Sequence, residues 1–160
     1  RRPLVHVPLA AMRQLRGEGH VHQRAAVCAA SFCACDLGLD WRSGRDVWMA
    51  ELLGADEALC DGNWQRIAGI GSDQAAYPRI YNPLRQAQLF DPQGTYVRRY
   101  CSELAKLPTR AVLAPWELGR QQQVELGFFT PQQYPAPIVD HENAAREFLA
   151  KYQRYRNRPA

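Results

Sequence analysis

The chain has 160 residues, 46% apolar and 22% charged, with a formal net charge of +4. That is room for one compact domain with its own core, and the mild cationic excess permits a nucleic-acid partner without demanding one. No apolar run approaches the roughly 18 residues a membrane span needs, and no secretory leader is visible.

The chain begins at Arg1 rather than Met, as an excised piece of a longer protein would. Its five cysteines, Cys28, Cys33, Cys35, Cys60 and Cys101, are odd in number and lack paired C-x-x-C spacing. They predict reduced thiols in a cytoplasmic compartment and no metal site.

Helix signals dominate in chain order. Leu9 to Arg16 predicts a short helix ended by Gly17 and Gly19. Arg24 to Leu37 is apolar nearly all round and rich in alanine, the pattern of a central buried helix stopped at Gly38. Asp46 to Leu53 places Val47, Met49, Leu52 and Leu53 on one helical side.

Gly54 to Asp73, broken by Gly54, Gly62, Gly69 and Gly71, predicts an ordered, functional loop. Only a short helix around Trp64 to Ala68 is expected within it. Tyr77 to Pro83 is turn-like, and Thr95 to Leu104 predicts a helix. Pro115 suits the first turn of another. After a proline-rich connector over Thr130 to Pro137, Asp140 caps a last helix with Ala144, Phe148, Tyr152 and Tyr155 on one face. No strand pair, internal repeat or domain boundary stands out, so the fold class is all-α.

The histidines are scattered and no glycine-rich phosphate loop follows a strand, so isolated motifs give no chemistry. Ordered stretches do. They are A-A-M-R-Q-L at Ala10 to Leu15, G-x-x-H-x-R at Gly19 to Arg24, A-S-F at Ala30 to Phe32 and D-L-x-x-D-W-R-x-G at Asp36 to Gly44. G-N-W-Q follows at Gly62 to Gln65, R-I-Y-N-P at Arg79 to Pro83 and F-D-x-x-G-x-Y-V-R at Phe90 to Arg98. P-W-E at Pro115 to Glu117 and Y-P-x-P-I-V-D-H at Tyr134 to His141 complete the set.

In this order and spacing the chain resembles the C-terminal half of the helical FAD-binding domain of DNA photolyases and cryptochromes, over residues 1–160. The resemblance implies FAD as cofactor and damaged DNA carrying a pyrimidine dimer as partner. An electron from light-excited reduced flavin splits the dimer, which is flipped from the duplex to reach it. The antenna domain and the upstream half of the flavin pocket are expected outside this chain or on a partner chain, and the chain alone is expected to be inactive.

Residue by residue, the resemblance assigns Trp64 and Trp41 to a tryptophan electron-transfer chain. It puts Cys60 beside a flavin ring nitrogen and Gly54, Ala55 and Asp56 in a flavin-contacting segment. Gln23 and Arg24 fall between flavin and lesion, and Arg79 and Gln86 face DNA. Arg66 stands where the family commonly has a second tryptophan, in the wall of the lesion pocket.

Further departures are Ala26 and Gly54, which replace both partners of a buried ion pair, a change tolerable only when made jointly. Cys60 and Arg66 lean towards a photoreceptor of the cryptochrome kind. The loss at Ala26 and Gly54 leans towards a helical binding module that no longer holds flavin.

Overall fold

The computed structural model describes residues 6–72 and 77–157, and among them it contains nine α-helices and no strand. None of the described helices is long and apolar enough to cross a membrane. No group of three or more described His, Cys, Asp or Glu side chains is placed to hold a metal.

Helix α1 (His6–Glu18) is the spine. It starts three residues before the predicted boundary, with Pro8 in the first turn, where a missing N–H costs nothing. Gly17 lies inside it. Val7 and Ala10 pack into one apolar cluster with Val97, Leu104, Val112, Phe128 and Tyr134. Ala11 and Leu15 pack into a second with Trp41, Trp48, Cys60 and Trp64. Helix α2 (Gln23–Ser31) runs beside it, and buried Ala25, Ala29 and Ala30 let the two backbones approach.

The predicted helix over 24–37 changes winding at its end. Phe32–Asp36 forms a π-helical turn, closed by the Leu37 N–H donating to the Phe32 carbonyl at 2.9 Å. Helix α3 (Trp41–Glu51) begins five residues before the predicted start, because the Asp40 carboxylate accepts from the Arg42 N–H at 2.9 Å and caps it there. The earlier start adds Trp41 to the buried face, which it shares with Trp48, whereas Val47 and Leu53 are 38% and 79% exposed.

The predicted long loop is largely helix α4 (Glu57–Ile67). Asp56 caps it, its carboxylate accepting from the Leu59 N–H at 2.7 Å, and Gly62 is carried within the helix at a cost of about 1 kcal/mol.

Helix α5 (Pro83–Phe90) opens on the Asn82 cap and α6 (Thr95–Tyr100) follows. The predicted helix there breaks at Cys101 into a 3-10 turn, Ser102–Leu104. Helices α7 (Thr109–Leu113) and α8 (Arg120–Leu126) flank Pro115–Glu117, which makes only a 3-10 turn.

The last helix, α9 (His141–Arg156), starts on the predicted Asp140 cap. A buried contact between His141 Nδ1 and Asp36 Oδ1 at 2.5 Å ties it to the π-helical turn.

Candidate functional site

The site grows from the joint between α3 and α4. The Leu53 N–H donates to the carbonyl of Gly19 at 2.8 Å, which pins the segment after α3 over the end of α1. Gly19 has φ +61°, a left-handed conformation that favours glycine, and a Cβ there would push the Leu53 side chain aside, meeting its Cγ at 2.4 Å.

Asp56 then launches α4, which presents Cys60, Asn63, Trp64 and Ile67 at helical spacing to α2. Helix α2 answers with Gln23, Ala26, Val27 and Ala30 at the same spacing. Trp48 of α3 and Leu52 just after it close the side. Together with Gly54 and Asp56 these residues line a cavity of about 200 Å³.

The walls are apolar with a few convergent polar groups, the usual make-up of a cofactor site. Cys60 is buried, and desolvation pushes its thiol above the ordinary value; Asp61 adds to the rise and Arg45 opposes it. Its S–H therefore stays protonated at neutral pH and is available as a weak donor. Behind it, Arg45 Nε and Asp61 Oδ1 form an ion pair at 2.8 Å.

Trp64 is 3% exposed and meets Trp48 edge-on, with ring centroids 5.5 Å apart at 76°. Its six-membered ring lies against Gly44 of α3, between the positions of Trp41 and Trp48.

Of the sequence-derived site residues, Gln23, Gly54, Asp56, Cys60 and Trp64 meet in this cavity, and Ala26 lines it as well. The two departures from the family's ion pair therefore face one space. Ala55 is half-buried beside the cavity but does not line it.

Arg24 turns away. Its guanidinium lies 4.5 Å over the Phe90 ring, and with Gln86 it lines a separate cavity of about 410 Å³. Gln23, Arg66 and Arg79 border a third hollow of about 60 Å³ next to the first, sharing Val27, Asn63 and Ile67 with it. Trp41 lines a fourth, of about 890 Å³, between the π-helical turn and α9; Ala144, Phe148, Tyr152 and Tyr155 supply the far wall.

Sequence reasoning missed Asn63, Val27, Leu52, Ile67 and Trp48 as wall residues. Asn63 stands inside the quoted G-N-W-Q stretch, and Trp48 lies seven residues after Trp41, on the same helical face.

A bundle of short helices around an apolar cavity with a tryptophan pair, a thiol and two amides defines a helical cofactor-binding domain. The chain belongs to the family described as the FAD binding domain of DNA photolyase, whose model matches residues 7–154.

It is 40% identical over 144 residues to the deoxyribodipyrimidine photo-lyase of Escherichia coli, covering 90% of this chain and 29% of that protein. A bacterial class III photolyase from Agrobacterium tumefaciens superposes with a TM-score of 0.86 at 37% identity, over 97% of this chain and 33% of that one. A Synechocystis cryptochrome superposes with a TM-score of 0.83 at 36% identity, over 88% of this chain and 29% of that one. The chain thus spans about a third or less of these relatives.

Proposed function

We propose that this chain forms one wall of the FAD site in a light-driven DNA repair enzyme of the deoxyribodipyrimidine photo-lyase type. The remainder of the pocket comes from sequence outside these 160 residues. The observation that carries the reading is the α2–α4 cavity, where Gln23, Asp56, Cys60 and Trp64 converge.

These residues fit a flavin. Trp48, Leu52 and Ile67 would give it apolar contact, Gln23 and Asn63 would bring amide donors and acceptors, and the protonated Cys60 thiol would supply a weak donor. Bound FAD supplies the light absorption and the one-electron chemistry that split a pyrimidine dimer. The chain's own residues would hold the ring and exclude water, and Trp64 and Trp41 would serve as its electron donors.

DNA is met on the neighbouring face. Gln23 borders both the first cavity and the hollow flanked by Arg66 and Arg79, so these polar groups stand on the side from which a base flipped out of the duplex would approach the flavin space. Arg24, braced on Phe90 beside Gln86, faces DNA from a second position rather than the flavin. Its contribution is sequence-independent phosphate affinity. Such an enzyme works in the cytoplasm or wherever the cell's DNA is held.

The test is illumination of the full-length protein with FAD and an oligonucleotide carrying one pyrimidine dimer. Dimer loss in light and none in darkness supports the reading. A cryptochrome-like photoreceptor is the second reading, favoured by Cys60 at the flavin edge and by Arg66 in place of an apolar lesion wall. It gives flavin photochemistry with the dimer intact.

A further inference from the structure

Trp48 was not among the site residues expected from sequence, yet it is the aromatic ring in direct contact with Trp64. Both rings line the same cavity and both are buried, at 7% and 3% exposed. Their edge-to-face contact at 5.5 Å turns the electron-rich face of one indole to the edge of the other. That arrangement stabilises a positive charge shared by the pair.

Trp41 is placed differently. It does not line the cavity, and the Arg42 guanidinium lies 5.0 Å over its ring. A fixed cation there opposes removal of an electron from Trp41, through a repulsion that solvent weakens but does not abolish. The neighbour in ring contact is therefore also free of the handicap that Arg42 imposes on Trp41.

We propose that Trp48 is a second electron donor to Trp64, a branch that competes with Trp41. The inference rests on the flavin reading above. When Trp64 gives one electron to the light-excited cofactor, Trp48 returns one electron to Trp64, which becomes neutral. The indole of Trp48 is left one electron short. No bond is made or broken and no proton need move. The deficit on Trp48 is filled by a thiol reductant in solution or by return of the same electron.

The experiment is flash photolysis of the full-length, flavin-loaded protein, following the transient absorbance of oxidised tryptophan in Trp64→Phe, Trp41→Phe, Trp48→Phe and the Trp41→Phe/Trp48→Phe double variant. The branch predicts that Trp41→Phe retains a long-lived tryptophan transient and that adding Trp48→Phe shortens it to the lifetime of oxidised Trp64 alone. If the double variant matches Trp41→Phe, the branch is wrong while the flavin reading stands. If Trp64→Phe leaves the transient intact, the flavin reading itself fails at this residue.

A structural check needs no cofactor. The far-ultraviolet exciton couplet of the indole pair is present in the flavin-free protein and lost in both Trp48→Phe and Trp64→Phe, with the helix signal unchanged. Absence of the couplet in the unsubstituted protein contradicts the contact on which the branch depends.

Discussion

The ring of Trp64 rests on the bare Cα of Gly44: a Cβ at Gly44 would stand 2.3 Å from Trp64 Cη2 and 2.6 Å from Cζ3. The glycine sits inside α3, one turn after Trp41, where alanine is intrinsically better by about 1 kcal/mol. Forcing a methyl into a packed ring costs roughly 1–3 kcal/mol, and the buried indole has little room to move. Gly44→Ala therefore lowers stability in urea unfolding and alters the near-ultraviolet signal of the tryptophans. A stabilised variant with an unchanged signal contradicts the contact.

Asp56 has two tasks that substitution separates. As the cap of α4 it accepts from the Leu59 N–H, and truncation to alanine removes about 1 kcal/mol. Asparagine caps as well as aspartate but carries no charge. Asp56→Asn should match the parent in thermal unfolding, and Asp56→Ala should fall below it. If the carboxylate also serves the flavin, both variants release FAD more readily in equilibrium dialysis. Equal FAD retention in all three proteins leaves Asp56 a cap and nothing more.

His6 gives a pH dependence of known sign. It is fully buried, stacked 5.6 Å from Trp116, and burial lowers its pKa from 6.5 to about 3. The unfolded chain binds this proton more readily than the folded one, so the contribution is present above pH 6.5 and is lost as pH falls towards 3. Urea midpoints for the parent and His6→Leu should converge on acidification, with the parent losing more. Parallel curves from neutral pH to pH 4 mean that His6 is not buried neutral.

The sequence revealed the helical class and the cap at Asp140 through local chemistry, a carboxylate before an apolar-periodic run; it read Tyr77 to Pro83 as a turn and did not show that Pro83 opens α5. It misjudged α4 because Gly54, Gly62, Gly69 and Gly71 suggested a loop. Only the first is in the joint before the helix; Gly62 is inside it, held by packing of Cys60 and Trp64 on α2. Tertiary burial outweighed a local propensity there. Trp48 was hidden because the helix was begun at Asp46: without Trp41, seven residues earlier on the same face, Val47, Met49, Leu52 and Leu53 alone marked the apolar side.

Within the site, residues sharing one helix face were legible, and the orientation of long side chains was not. Gln23 and Arg24 are neighbours, yet a rotation of about 100° per residue sends the first towards the cavity and the second onto Phe90.

The central claim is that the α2–α4 cavity is flavin space. The most direct test is the visible absorbance that stays with the full-length protein through gel filtration after incubation with FAD, compared between the parent and Ala26→Leu, which fills the cavity from α2. The account predicts flavin bands that co-elute with the parent and are lost or much reduced in the variant, with helix content unchanged. A colourless parent, or a variant that holds FAD as well as the parent does, contradicts it.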